Sequence, residues 1–484
     1  MVIPGTQSRI KNIHVAGLPE GSSIKISHKR FLIGKILTPK KLDEITGWLR
    51  SELQNRGYGC PLIDLKADES GEINIKVTPG PIHLITEIER PKSISINPFI
   101  FGRYEAFHLG NALDNRLLTL SSSRILRDDL FLSSYYDLAC DKSQSLRIVQ
   151  RVVAVKPRLI ALGLGIDTEA LLKARALWKH SRLDSKASSL QVQLDASFLQ
   201  QSGETFMEWY PLESGSRFHL IPRLRGIRYS EKQFEALSAE ASVLATTNYD
   251  ASAFNLDVSY GPAYEFVDTR KGEGPKNSRY LSFKGQLRVM SHLFEYYLSN
   301  PQTGWNLTFN SYSRFKGIYS SATFHRFSLN SEVLWNLSDY YPPYAVFGWR
   351  MSTGTFWIPD GSFQFSVPPQ LRFFLGGDRD VHGFSRNELP PNGIGFHTFL
   401  YEGFELRSGD FFYFDIQPLI FFDIAWGGEK FLKIANSTYA SPGIGARWST
   451  RFGVFRGTAA HGFIWGKSDL NTHWEFFLSY GQEF

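Results

Sequence analysis

Residues able to do chemistry are most concentrated in the run Phe373-Phe374-Leu375-Gly376-Gly377-Asp378-Arg379-Asp380-Val381-His382-Gly383-Phe384. Alternating carboxylates and cations, a histidine, paired glycines and flanking aromatics suit a tight turn held to another surface by ion pairs and hydrogen bonds. They do not suit bond cleavage. The chain has no Gly-x-Ser-x-Gly elbow, no His-Glu-x-x-His, no phosphate-binding Gly-x-x-x-x-Gly-Lys-Ser/Thr loop and no Cys/His cluster at metal-ligand spacing. Its 12 histidines are scattered, and Asp43-Glu44, Asp68-Glu69 and Asp128-Asp129 sit where a solvated helix face or turn is expected. No enzymatic activity, cofactor or metal is expected.

The run lies in a segment from about 359 to 395, between two strand patterns and far longer than a turn requires. Long loops of this kind are usually functional. From Pro157 onward the hydrophobic period is two: Leu190, Val192, Leu194, Ala196 and Phe198 alternate with Gln191, Gln193, Asp195 and Ser197. Leu281 to Val289 alternate with Ser282, Lys284, Gln286 and Arg288, and Phe327, Leu329, Val333, Trp335 and Leu337 behave likewise. One face therefore carries charges and the other is dense in Phe, Trp and Leu. Such strands, over 484 − 156 = 328 residues without a domain break, point to a barrel of about 16 strands whose polar face turns inward. Trp474, Phe476, Leu478 and Tyr480, with the last residue Phe484, form an aromatic closing strand. It must pair with the first strand to abolish both sheet edges.

Up to residue 156 the pattern differs. This part holds 22 Lys+Arg and 16 Asp+Glu, so it carries the whole +6, and the remainder balances at 31 against 31. Leu42, Ile45, Leu49 and Leu53, between Pro39 and Gly57, predict an amphipathic helix. Ile63 and Leu65, then Ile73, Ile75 and Val77 beyond Asp68-Glu69-Ser70-Gly71, predict a hairpin, and Ile13 and Val15 an opening strand. Leu49-Arg50-Ser51-Glu52-Leu53 is echoed by Leu126-Arg127-Asp128-Asp129-Leu130 at an offset of 126 − 49 = 77, so two tandem α+β domains are expected, over 8–80 and 81–156.

Composition sets further bounds. Hydrophobic residues make up 42% and aromatic ones 15%, too apolar for a disordered chain, and mean hydropathy is −0.22. No stretch approaches the roughly 18 consecutive apolar residues of a membrane-spanning helix, whereas a transmembrane barrel averages to a bland value of this kind. No apolar signal segment is visible near Met1-Val2-Ile3-Pro4, so a removed signal or a different gene start is expected. Cys60 and Cys140, the two cysteines, can form a disulfide, with two buried free thiols the blander reading.

With these patterns in place, the sequence resembles the outer-membrane assembly superfamily, which includes BamA, TamA and the two-partner-secretion transporters, with TamA-like translocation and assembly module barrel subunits nearest. The motif carrying the resemblance is Gly376-Gly377-Asp378-Arg379 followed by Val381-His382-Gly383-Phe384, in which His382 stands where the family usually has arginine. It is supported by both repeats, by Leu162-Gly163-Leu164-Gly165 opening the barrel, and by the final strand. The resemblance implies two tandem POTRA domains in the periplasm ahead of a 16-stranded antiparallel transmembrane β-barrel (157–484) in the bacterial outer membrane, with the long loop folded into the lumen. It also implies that the loop meets acids on the following strands, by order Glu405 and Asp423. A histidine there makes a weaker contact than a two-pronged arginine unless neighbouring carboxylates favour its protonated form, or Arg379 or Arg386 takes over the pairing.

The function implied is insertion or translocation of outer-membrane proteins. POTRA domains would bind unfolded outer-membrane or secreted clients by β-augmentation. A lateral gate would open between the first and last strands, at Leu162, Gly163, Leu164, Gly165, Leu478, Tyr480 and Phe484. Gly163, Gly165 and Gln482 weaken that pairing. The alternative is a two-partner-secretion pore exporting one exoprotein. Expected partners are client proteins, a periplasm-spanning or inner-membrane protein and the lipid bilayer, and no nucleic acid.

Overall fold

The computed structural model of the chain describes residues 8–19, 32–91, 96–140, 144–212, 215–298, 301–320, 322–338, 343–359, 363–409, 416–434, 437–450, 453–465 and 473–481. The chain divides between Val155 and Lys156 into two compact units.

In the first unit, β1 (Asn12–Ala16), α1 (Pro39–Gln54), β2 (Leu62–Ala67) and β3 (Glu72–Thr78) precede β4 (Leu84–Glu89), α2 (Asn115–Arg127), β5 (Phe131–Ala139) and β6 (Ser145–Ala154). Thr38 caps α1 by accepting from the Lys41 amide, with Pro39 in the first turn, and Asp114 caps α2 by accepting from the Arg116 amide. Ile45, Leu49 and Leu53 fall on one face of α1 and are buried together with Ile13, Ile73, Ile75 and Val77. The sheets have the same plan: β1-β3-β2 and β4-β6-β5, each with its first strand parallel to its last and the middle strand antiparallel. The repeat is therefore one of fold. Its spacing varies by element: β4 starts 84 − 12 = 72 residues after β1, α2 starts 115 − 39 = 76 after α1 and β6 starts 145 − 72 = 73 after β3. The 77-residue echo fits the helix starts but not their ends, since Leu53 lies within α1 and Leu130 follows α2.

Of the two readings open for the cysteines, the structure shows the disulfide: Cys60 and Cys140 are bonded, with Cα atoms 6.0 Å apart. Cys60 follows α1 and packs against Ile85, Leu113 and Leu118 of the second repeat. The His83 amide donates to the Gly57 carbonyl at 2.9 Å, and the Gly59 amide to His83 Nδ1 at 3.2 Å. The repeats thus meet at the Cys60 turn, which brings the end of β5 to it across 80 residues.

The second unit is a closed barrel. Its strands are β7 (Arg158–Asp167), β8 (Leu171–His180), β9 (Ser189–Ser197), β10 (Gln200–Glu208), β11 (His219–Ser230), β12 (Glu235–Asp250), β13 (Phe254–Lys271) and β14 (Ser278–Ser291). They continue with β15 (Gly304–Arg314), β16 (Phe324–Asn336), β17 (Ala345–Trp357), β18 (Thr398–Ser408), β19 (Ile416–Gly428), β20 (Thr438–Thr450), β21 (Gly453–His461), β22 (Phe463–Trp465) and β23 (Trp474–Gly481). Because β20 pairs with β21 and, in continuous register, with β22, those two segments are one strand broken at Gly462. The barrel is 16-stranded and antiparallel.

Alternation places the residue types as expected. Leu162, Leu194, Leu224, Ile444, Trp474 and Phe476 are exposed on the outside, a surface suited to lipid. The inward set pairs across strands: Arg175 with Asp195 at 2.6 Å, and Lys284 with Glu240 and Glu265 at 2.7 and 2.9 Å.

Unreduced protein is expected to resist thiol alkylation. The Cys60→Ser/Cys140→Ser variant should lower the stability of the first unit, measured by denaturant unfolding, by about 4 kcal/mol, as closing a loop of this size implies.

Candidate functional site

The site is the connection between β17 and β18. Gly376 and Gly377 have φ of 102° and 112°, a left-handed conformation that favours glycine. They turn the chain so that the Gly377 amide donates to the Phe384 carbonyl at 2.8 Å. Asp380 fastens the turn by accepting from the Gly376 and Val381 amides at 2.5 and 2.6 Å. Val381 and Phe384 are buried, and the Phe384 ring lies edge-on to Tyr439 of β20 at 5.9 Å.

His382 is the centre of the docking. It is fully buried (0% exposed), as is Asp423 of β19, and its Nδ1 lies 2.7 Å from Asp423 Oδ2. The other carboxylate oxygen accepts from the Tyr401 hydroxyl of β18 at 2.9 Å. On its far side, His382 Nε2 is 3.4 Å from Arg456 Nη2 of β21. The same Nε2 is 3.8 Å from Asp378 Oδ1, so the imidazole stands among two carboxylates and an arginine. The histidine thus joins a barrel arginine to a barrel aspartate, which explains how it serves at a position where the resembled family has arginine: the cation comes from β21. Phe421 flanks the imidazole at 4.5 Å.

Of the two expected acids, only Asp423 meets this histidine. Glu405, on β18, makes no hydrogen bond or ion pair with the loop among the described residues. It lines a cavity of about 140 Å³ with Arg350, Arg407, Arg447 and Arg456, which attract its charge in place of the loop. Arg379 is exposed. Arg386 does pair, but with acids the sequence did not single out: Glu231, between β11 and β12, at 2.9 Å, and Glu169, in the β7–β8 turn, at 3.4 Å. Burial pulls the Arg386 guanidinium down, and these two carboxylates more than offset it, holding it above its ordinary value.

Glycine makes the fit possible at two places. A Cβ on Gly383 would lie 2.5 Å from the Gly462 Cα, so the motif rests directly on the break in the β21–β22 strand. A Cβ on Gly377 would lie 2.3 Å from Glu169 Oε1, which accepts from the Asp378 amide at 3.0 Å.

The expected gate residues lie on β7 and β23, which close the barrel. Among the described residues their ladder consists of Ile166 opposite Tyr480 and Asp167 opposite Ser479, extended by the Thr168 amide donating to the Leu478 carbonyl at 3.0 Å. By contrast, β7 pairs with β8 along its whole length, from Arg158 opposite His180 to Asp167 opposite Leu171. Leu162, Gly163, Leu164 and Gly165 pair only with β8 among the described residues. Leu164 and Leu478 are therefore not opposite each other, because the register sets Leu478 beside Thr168. Phe484 and Gln482 lie outside the described residues. The loop reaches both sides of this seam: Asp378 and Arg386 hold Glu169 beside β7, and the Ser385 hydroxyl donates to Glu475 of β23 at 2.6 Å. A cavity of about 410 Å³ lies between them, lined by Ile166, Glu169, Arg350, Arg386, Arg456 and Tyr480.

No protein-family model matches the sequence. Among solved structures, the chain is similar to BamA from Haemophilus ducreyi lacking POTRA domains 1–3, with a TM-score of 0.56 and 14% identity over 99% of this chain and 100% of that one. It is also similar to CdiB from Acinetobacter baumannii (TM-score 0.53, 13% identity, 99% of this chain and 91% of that one). CdiB from Escherichia coli gives a TM-score of 0.53 at 12% identity, again over 99% and 91%. The fold is the one shared by BamA and CdiB. Nothing in these likenesses singles out the TamA-like branch.

The relay through His382 makes a specific prediction. His382→Ala leaves a buried carboxylate short of a donor and should destabilise loop docking by about 3 kcal/mol, read as faster proteolysis between β17 and β18 and a lower melting temperature. His382→Arg alone should also weaken docking, by setting two cations side by side. Adding Arg456→Ala should recover part of the loss, with a coupling of about 1 to 3 kcal/mol in a double-mutant cycle.

Proposed function

We propose that the chain is an outer-membrane protein that inserts or translocates other polypeptides, opening laterally between β7 and β23. The observation that carries this reading is the closure itself: β7 and β23, first and last strands of the barrel, meet at Ile166–Tyr480 and Asp167–Ser479 among the described residues, and the loop between β17 and β18 grips both flanks through Glu169 and Glu475. Separating β7 from β23 presents two strand edges that can template an incoming strand. Burial of the client's apolar face in lipid then supplies the driving force, without hydrolysis.

Three further features support the reading. The exterior is apolar and the interior charged, as a barrel in lipid requires. The Cys60–Cys140 disulfide fits an oxidising compartment such as the periplasm. Among the described residues, β2 is the outer strand of one sheet of the first unit and β5 of the other, edges able to take an extended client segment as an added strand. BamA and CdiB have the fold.

Cysteines at Ile166 and Tyr480, joined by a short bismaleimide, test the gate, with the same variant before joining as the reference. Assembly of a barrel client into proteoliposomes should fall to background once the seam is locked. Undiminished assembly would overturn the lateral gate, and intact export of a soluble protein through the locked barrel would favour the secretion pore.

A further inference from the structure

We infer that Glu388, His473 and Glu475 form a binding site for a divalent transition-metal ion of the zinc type, tying the luminal loop to the last strand. His473 immediately precedes β23 and Glu475 lies within it, so the pair flanks Trp474. In extended chain, residues two apart share a face, so the imidazole and the carboxylate point together while Trp474 faces outward. Glu388 comes to them from the luminal loop. The donor atoms of all three lie within 4.8 Å of one another.

The spacing is what separates this cluster from a chance meeting of polar groups. His473 Nε2 stands 3.5 Å from Glu388 Oε2 and 3.4 Å from Glu475 Oε1. That is too long for a good N–H···O hydrogen bond. It is the distance between neighbouring ligands on a tetrahedral ion, about 3.3 Å for metal–ligand bonds near 2.0 Å. Among the described residues neither carboxylate has a lysine or arginine ion partner, so two negative charges converge on one imidazole without a fixed cation.

The surroundings orient the set as a metal site requires. Ser385 holds both carboxylates, its amide donating to Glu388 Oε2 at 2.7 Å and its hydroxyl to Glu475 Oε1 at 2.6 Å. Phe384 stands edge-on to the His473 ring at 6.0 Å. The three side chains are 34%, 36% and 22% exposed for His473, Glu388 and Glu475, which leaves an entry path and a fourth position for water. One imidazole with two carboxylates suits zinc-type ions, whereas calcium and magnesium favour oxygen-only sets.

A bound ion would add a bond between the loop and β23 beside the seam. That consequence rests on the lateral-gate reading, whereas the binding itself does not. The test uses the full chain in detergent, stripped with chelator and titrated with Co²⁺ as an absorbing probe and Zn²⁺ as competitor. One ion per chain is expected, with a tetrahedral cobalt spectrum displaced by zinc. Glu388→Gln, His473→Ala and Glu475→Gln should each remove binding, Ser385→Ala should weaken it about tenfold, and His14→Ala, at an exposed His14–Glu72 pair, should leave it unchanged. Wild-type circular dichroism would show that the variants have folded. Absence of stoichiometric uptake, or uptake undiminished in the three ligand variants, would overturn the site. Seam locking at Ile166 and Tyr480 reads the gate separately, so either inference can fail alone.

Discussion

A strand in hydrocarbon has no water to satisfy its N–H and C=O groups, so a membrane-spanning sheet has to close on itself. Everything in the second unit follows from how this chain meets that constraint. Fifteen of its junctions are made between strands adjacent in sequence, where a turn or loop holds the partners together. The closing junction joins the first strand to the last and has no such help. Among the described residues it is made by Ile166 and Asp167 of β7 with Tyr480 and Ser479 of β23.

The luminal loop compensates from inside. It adds ion pairs and hydrogen bonds to both flanks, through Glu169 on one side and Glu475 on the other. Those contacts are made by side chains and by a tight turn, so they can be released without unfolding a strand. The deeper anchor is the Arg456–His382–Asp423 relay, sealed from water by Phe421 and Phe477. A buried charge network is costly when incomplete, which favours a loop that is fully docked or fully out.

The first unit obeys a different logic. Each repeat is a small domain with a three-stranded sheet and limited apolar burial, a size at which cores are marginal. The Cys60–Cys140 bond crosses from one repeat to the other and restricts their unfolded chain.

What the sequence determined by itself was whatever has a local period. Alternation over two residues marked the barrel strands and their faces, the three-and-four spacing of Ile45, Leu49 and Leu53 marked α1, and the glycine-rich motif marked a tight docked turn. These readings hold because side-chain direction in a helix or strand is set by position alone. Tertiary structure decided the partners. Glu169, Glu231 and Glu475 lie far from the motif in the chain and share no pattern with it, and Glu405 looked as well placed as Asp423 until the lumen supplied it with arginines. The disulfide and the meeting of Glu388 with His473 belong to the same class. Each depends on which distant segments are brought together by closure and packing, and a one-dimensional pattern carries no such distance.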